Sequence, residues 1–370
     1  MLKIIRITVW RLELALAKPY FLSGGRLRVD SLDATYVRLD TDEGLSGWGE
    51  GTPWGHTYVP AHGPGIRAGI ETMAPSILGQ DPCKPGVVER AMNLCLPGHL
   101  YAKGPVIMAV LDLASQISGL AMTGLIGGAF PGSTPVASSI STDTPQGMLA
   151  NIQSYRERGY HAHSVKVGSD IEGDIARIRH LETHRRPDEL IFYDVNRAWT
   201  RSQAISVMNA VSDLQVVFEQ PCETLDDCLA VRRLTRQPIS IDERLDTLAD
   251  MTRIAVEGIG EIVNIKLNRV GGLLNAARIR DLALANGMKI AVMATGGSVL
   301  ADTEAAILAQ TIPPEHRFAT WACQDMITVD PAPGQGSRSV DGTLTAPGQS
   351  GLGITPDRER LGEPVAFYEG

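Results

Sequence analysis

Five ionisable residues in the middle of the chain have the types and spacing to do chemistry together: Lys166, Asp194, Glu219, Asp242 and Lys266. Each stands at or near the end of a short apolar run, in SVK, LIFYDVN, VVFEQP, ISIDE and IVNIK. The steps between them are 28, 25, 23 and 24 residues, about one strand, a loop, a helix and a return loop. In a (β/α) barrel, successive strand ends converge on one face and share one cleft. Three carboxylates and two lysines gathered there are costly unless compensated, and a divalent cation suits carboxylate oxygens. Unrelated surface charges would have no reason to keep barrel phase.

The flanking sequence supplies the elements such a cleft needs. Apolar runs predict strands at 134–139, 162–166, 190–195, 215–219, 239–242, 262–266, 289–293 and 318–321. Helical patterns fit between them at 145–158, 171–184, 201–212, 224–234, 246–254, 273–286 and 299–310. Eight strands with seven helices define an α/β fold, a (β/α)7β-type modified TIM barrel, placed at residues 126–325. Before it, strands within 2–22, 33–41 and 45–50 and helices near 65–78, 85–96 and 104–118 predict an α+β capping domain at 1–125. The Gly- and Pro-rich tail, 326–370, retains recurrent apolar residues and is expected to return to the capping domain.

Composition narrows the function classes. The net charge of −8 and the dispersed basic residues argue against nucleic-acid binding. No apolar run reaches membrane-spanning length, and the amino terminus, MLKIIRITVWRLEL, reads as a strand, so a cytoplasmic protein is expected. The five cysteines are too scattered for a disulfide framework or a thiolate zinc site and read as reduced thiols. His161 and His163 lack a zinc-binding helix pattern and read as packed or supporting polar groups.

The motifs around the five residues resemble those of the enolase superfamily, in its muconate-lactonizing branch. K-V-G begins at Lys166, D-V-N at Asp194, E-Q-P at Glu219 and D-E at Asp242, and Lys266 precedes R-x-G-G. The resemblance implies Mg2+ held by Asp194, Glu219 and Asp242, with Lys166 and Lys266 as bases on opposite faces of a small substrate. Longer matching stretches lie outside the barrel motifs: PYFLSGGRL at 19–27, GWGEGTPWGHTYVPAHGPGIRAGIE at 47–71, LPGHLYAK at 96–103, DVNRAW at 194–199 and DPAPGQG at 330–336. They resemble dehydratases of hydroxylated imino acids. The same catalytic set also serves racemases or epimerases of proline, proline betaine and related amino acids. Relatives of this kind are homo-oligomers, commonly dimers or octamers.

Neighbouring residues take supporting roles in this reading. Asn196 shares a face with Asp194, and Glu243 is expected to hold a lysine, Lys266 among the candidates. Tyr20, Trp54, His56 and Tyr58 are expected to cover the cleft, the last three from a Gly- and Pro-rich loop. Two departures from the branch stand out. Ser164 occupies the position of a helper lysine two residues before the base, leaving room beside the substrate carboxylate. Met293-Ala294-Thr295 stands where the similar enzymes tend to carry an acid.

Overall fold

The computed structural model describes residues 2–22 and 27–370; residues 23–26, within the PYFLSGGRL stretch, lie outside the described part. Two long strands, β1 (Ile4–Leu22) and β2 (Leu27–Thr41), pair antiparallel and are joined by β3 (Ser46–Gly51) in a sheet ordered β14-β1-β2-β3. The last member, β14 (Ala366–Glu369), comes from the C-terminus and pairs Tyr368 with Ile7. Helices α1 (Gly63–Ile77), α2 (Pro85–Cys95) and α3 (Leu100–Ser118) follow, then a short α4 (Met122–Leu125). Residues 33–41, expected as the second strand, are the later part of β2, and α3 starts four residues before the expected 104. His99 adopts a left-handed conformation just before α3, a backbone turn that side-chain periodicity does not report. Gly49 lets β3 approach α3 closely, since a Cβ there would collide with the Pro105 carbonyl.

From Thr134 the chain alternates. The short β4 (Thr134–Pro135) pairs with β13 (Thr343–Leu344) outside the barrel, so the first expected strand, 134–139, is split. The barrel strands are β5 (Ala137–Ile140), β6 (Ala162–Lys166), β7 (Leu190–Asp194), β8 (Val217–Glu219), β9 (Ile239–Ile241), β10 (Ile262–Lys266), β11 (Lys289–Met293) and β12 (Arg317–Trp321). They form one eight-stranded parallel sheet in sequence order, and a bridge between Val136 and Thr320 brings its two edges together. Helices α5 (Pro145–Glu157), α6 (Ile171–Thr183), α7 (Arg201–Ala210), α8 (Leu225–Arg232), α9 (Leu248–Glu257), α11 (Leu273–Ala285) and α12 (Val299–Gln310) connect them. One extra turn, α10 (Leu267–Val270), follows β10 directly, and a last turn, α13 (Arg358–Leu361), precedes β14. After β12 a single 3-10 turn, Cys323–Asp325, stands where an eighth helix would close a regular barrel.

The helix starts are written in the sequence. Thr144, Asp170, Thr200, Thr224 and Thr247 each accept a backbone N–H from the first turn of the helix they precede. Thr200 and Thr247 complete capping boxes with Gln203 and Asp250. Inside the barrel the period of two sets the layers. Ala162, Phe192, Ile262, Ala291 and Phe318 form an apolar cluster, leaving the next inward positions for Ser164, Asp194, Asn264, Lys266 and Met293.

A buried acid clasps the two domains. Glu50, at the end of β3, accepts the Ser298 amide at 2.9 Å, the Ser298 hydroxyl at 2.6 Å and the Thr52 hydroxyl at 2.8 Å. It thereby fixes the loop before α12 against the root of the covering loop. The tail is held similarly: Asp112 of α3 accepts the amides of Trp48 at 2.8 Å and Leu352 at 2.7 Å. Among the described residues no helix is long and apolar enough to cross a membrane.

His163 stands in the second barrel strand with no exposed side-chain surface, its Nδ1 2.7 Å from Ser138 Oγ. Burial pushes its pKa down to about 4, against the nearby Glu189 carboxylate. A base whose folded pKa is depressed contributes stability above its unfolded pKa, near 6.5, and loses it as pH falls toward 4. The expected loss is about 2–3 kcal/mol between pH 7 and pH 4. Asp302 and Glu304, both pushed up to about 8 by burial, bias stability the other way, so parent and variant must be compared. Urea unfolding of His163→Asn should show a stability change over this interval that lacks the histidine's share.

Candidate active site

The five spaced residues meet at the C-terminal mouth of the barrel. In register, Lys166 of β6 pairs with Asp194 of β7, and Asp194 with Glu219 of β8. Lys266 of β10 pairs with Met293 of β11. Asp242 lies one residue past the end of β9. Counting around the sheet, the lysines occupy the second and sixth strands, and the carboxylates the three between them. All five are buried, none more than 8% exposed.

The charges are paired in this arrangement. Lys166 Nζ bonds Asp194 Oδ2, and Lys266 Nζ bonds Asp242 Oδ2 at 2.6 Å. Arg269, from the extra turn α10, donates Nη1 to both Asp242 Oδ1 at 2.7 Å and its carbonyl at 2.6 Å. Burial alone would raise Asp242, but Lys266 and Arg269 outweigh it and hold the carboxyl below its ordinary range. Glu219 goes the other way: burial, then the charges of Asp194 and Asp242, push it well above. Its Oε1 accepts Asn264 Nδ2 at 2.7 Å, while Oε2 is buried with no hydrogen-bond partner among the described residues.

That orphaned oxygen, between two further carboxylates on adjacent strands, fits a hard divalent cation. As the side chains stand, no three acidic, histidine or cysteine groups among the described residues are gathered closely enough to hold an ion. Asp194 and Asp242 are engaged by Lys166 and Lys266 instead. Burial acts to lower Lys166, but Asp194, Tyr20 and Glu219 prevail and raise its pKa.

The cleft is lined by these residues together with Tyr20, Trp54, Tyr58, Ser139, Ser164, Thr295 and Trp321, among others. Trp54 meets Tyr20 and Trp321 edge-on, with ring centroids 5.3 and 5.2 Å apart. Tyr20 reaches the barrel through Ser139. Two expectations need correction. His56 is exposed and does not line the cleft, because its stretch of loop turns outward between the buried Trp54 and Tyr58. Glu243 does not hold Lys266: it accepts the Tyr58 hydroxyl at 2.7 Å and Asn196 Nδ2 at 3.2 Å, while Lys266 turns to Asp242. Lys266 stays near enough to act on Glu243 through its charge, but its hydrogen bond goes to Asp242. Asn196 also donates Nδ2 to Asp194 Oδ2 at 3.0 Å.

Several contributors carry weaker sequence signals. Asn264 stands two residues before Lys266 on the same face, so period two points to it. Arg269 and Arg197 act from turns. Asn196, Arg197 and Gln220 have positive φ of 45°, 64° and 38°, backbone strain that side-chain patterns do not reveal.

The two-domain fold and the acid–lysine ring define the class. The model of the enolase C-terminal domain-like family matches residues 147–360, and that of the mandelate racemase / muconate lactonizing enzyme N-terminal domain matches 5–127. The chain belongs to the enolase superfamily. Among characterised relatives, cis-3-hydroxy-L-proline dehydratase of Roseibium aggregatum is 37% identical over 368 residues, covering 99% of this chain and 100% of that one. L-Ala-D/L-Glu epimerase of Bacillus subtilis is 28% identical, covering 95% and 97% of the two chains. A solved structure of an enolase-superfamily member from Roseovarius nubinhibens ISM, complexed with magnesium, is 47% identical over the full length of both chains, with a TM-score of 0.96.

The aromatic cover is testable apart from the chemistry. Trp54, 3% exposed, closes the cleft without touching the carboxylates by hydrogen bond. Trp54→Ala should lower kcat/KM about 10- to 100-fold through poorer closure and water exclusion. Mg2+ content of the purified variant should equal that of the parent.

Proposed function

We propose that the protein is a hydro-lyase that converts cis-3-hydroxy-L-proline to Δ1-pyrroline-2-carboxylate. The observation that carries the reading is the placement of Lys166 and Lys266 in one cleft, on the second and sixth barrel strands, with the carboxylates on the intervening strands. The full-length similarity to cis-3-hydroxy-L-proline dehydratase supports the choice of substrate.

Asp194, Glu219 and Asp242 would hold Mg2+. When bound, the cation supplies a Lewis acid to the substrate carboxylate, offsetting the charge that develops as the alpha proton leaves. The chain's own groups perform the rest. In cis-3-hydroxy-L-proline the hydroxyl shares a ring face with the carboxylate, so the alpha hydrogen lies on the opposite face. Lys166, as the free amine, takes that proton. The electrons of the Cα–H bond form the Cα–C3 double bond, and the C3–O bond breaks. Lys266, as the ammonium, gives a proton to the departing oxygen, which leaves as water. The enamine then tautomerises to the cyclic imine. Lys166 ends protonated and Lys266 neutral, and proton exchange with solvent resets the pair. Tyr20, Trp54, Tyr58 and Trp321 close around the ring and exclude water, and Ser164 leaves space beside the carboxylate.

A second reading follows from the same two lysines. With bases on both faces, removal and return of the alpha proton would racemise or epimerise proline, its betaine or a related amino acid. The epimerase among the relatives keeps this reading in view. Turnover of cis-3-hydroxy-L-proline, its trans isomer and L-proline, followed by proton NMR, separates the two. The dehydratase reading expects kcat/KM at least about 100-fold higher for the cis isomer than the trans, because the trans hydroxyl departs from the wrong face. Equal turnover of both isomers would contradict it.

A further inference from the structure

We propose that Tyr58 is a positioning residue that couples closure of the covering loop to cation binding, acting through Glu243 and Asn196. The inference rests on the reading of Asp194 as a cation ligand and adds a link to a loop that reading treats as a cover.

The link is a short chain of hydrogen bonds. Tyr58, 6% exposed, donates its hydroxyl to Glu243 Oε1 at 2.7 Å. Asn196 Nδ2 lies 3.2 Å from the same oxygen, 3.3 Å from Tyr58 Oη and 3.0 Å from Asp194 Oδ2. The Asn196 amide also donates to Asp194 Oδ1 at 2.9 Å. Among the described residues this side-chain amide reaches three acceptors, one on the loop, one on the supporting acid and one on the proposed ligand. It has two hydrogens with which to serve them.

Engaging Asp194 Oδ2 with a cation makes that oxygen a poorer acceptor. The Asn196 hydrogens then turn toward Glu243 and Tyr58, tightening the bonds that hold the loop down. The surroundings limit the tyrosine to this position. Arg197 lies over its ring at 5.2 Å and donates Nη2 to its carbonyl at 3.3 Å, and Lys266 Nζ is 5.5 Å from the ring centre. The left-handed backbone at Asn196 and Arg197 places both side chains at this junction.

Coupling of this kind is reciprocal: whatever factor the cation adds to loop closure, closure adds to cation affinity. Hydrogen–deuterium exchange of residues 52–62 and calorimetric titration with Mg2+ read the two sides separately. In the parent protein, saturating Mg2+ should slow exchange of this loop at least about fivefold. Tyr58→Phe removes the hydroxyl and little volume. It should abolish that slowing while Mg2+ still binds, with a Kd weakened by about the same factor. Glu243→Gln keeps a carbonyl acceptor for Tyr58 and should retain the slowing. Exchange in Tyr58→Phe that still slows as in the parent would overturn the coupling, as would a parent loop indifferent to Mg2+. Failure of the underlying reading appears elsewhere, as absence of saturable Mg2+ binding in the parent titration, and would overturn both.

Discussion

Lys166→Ala should abolish both elimination and exchange of the alpha proton, a loss of at least about 10³-fold in kcat. Among the described residues lining the cleft, the amines are Lys166 and Lys266. Ser164 and Ser139 are hydroxyls, and Tyr20 is bonded to Ser139. Lys266→Ala should differ in kind: elimination is blocked because the hydroxyl leaves without its proton, yet slow alpha-proton exchange persists because Lys166 is intact. Deuterium incorporation at the alpha carbon, measured on both variants, distinguishes a base–acid pair from two lysines that merely balance carboxylates. Equal residual exchange in the two variants would remove the assignment of roles.

The second large effect is expected at Glu219. Glu219→Gln keeps the volume and leaves a carbonyl to accept from Asn264, now at 2.7 Å from Oε1, so the melting temperature should change little. It replaces the carboxylate whose other oxygen has no partner among the described residues. Mg2+ affinity should fall at least about 100-fold, and activity at moderate Mg2+ should fall with it. Calorimetric titration beside thermal unfolding reads both quantities. A variant that binds Mg2+ like the parent would show that Glu219 is not a ligand.

Much of this molecule is legible in its sequence because its elements are simple and regularly punctuated. Threonines and aspartates mark helix starts, and the interval from each ionisable residue to the next matches one barrel unit. Period two within strands then carries Lys166, Asp194, Glu219 and Lys266 to one face. What the sequence conceals is conformational. The turn that brings Arg269 onto Asp242 begins immediately after a strand, with no loop to announce it. The partner of Glu243 depends on a tyrosine 185 residues away, reached through the covering loop, so no local pattern pairs them. His56 shows the limit of reading a loop by residue type: it stands between two inward aromatics and points outward. Lys166 shows a different limit. Its position follows from spacing, but its affinity for protons depends on whether Asp194 lies against it.

The central claim is that two opposed lysines carry out an elimination supported by a divalent cation. It is tested most directly by incubating the Mg2+-loaded enzyme with cis-3-hydroxy-L-proline in D2O and following the ring by NMR. The expected result is loss of the substrate signals with Δ1-pyrroline-2-carboxylate as product, abolished by chelation and restored by Mg2+. Alpha-deuterated but otherwise intact hydroxyproline, accompanied by racemisation of L-proline or its betaine under the same conditions, would contradict it.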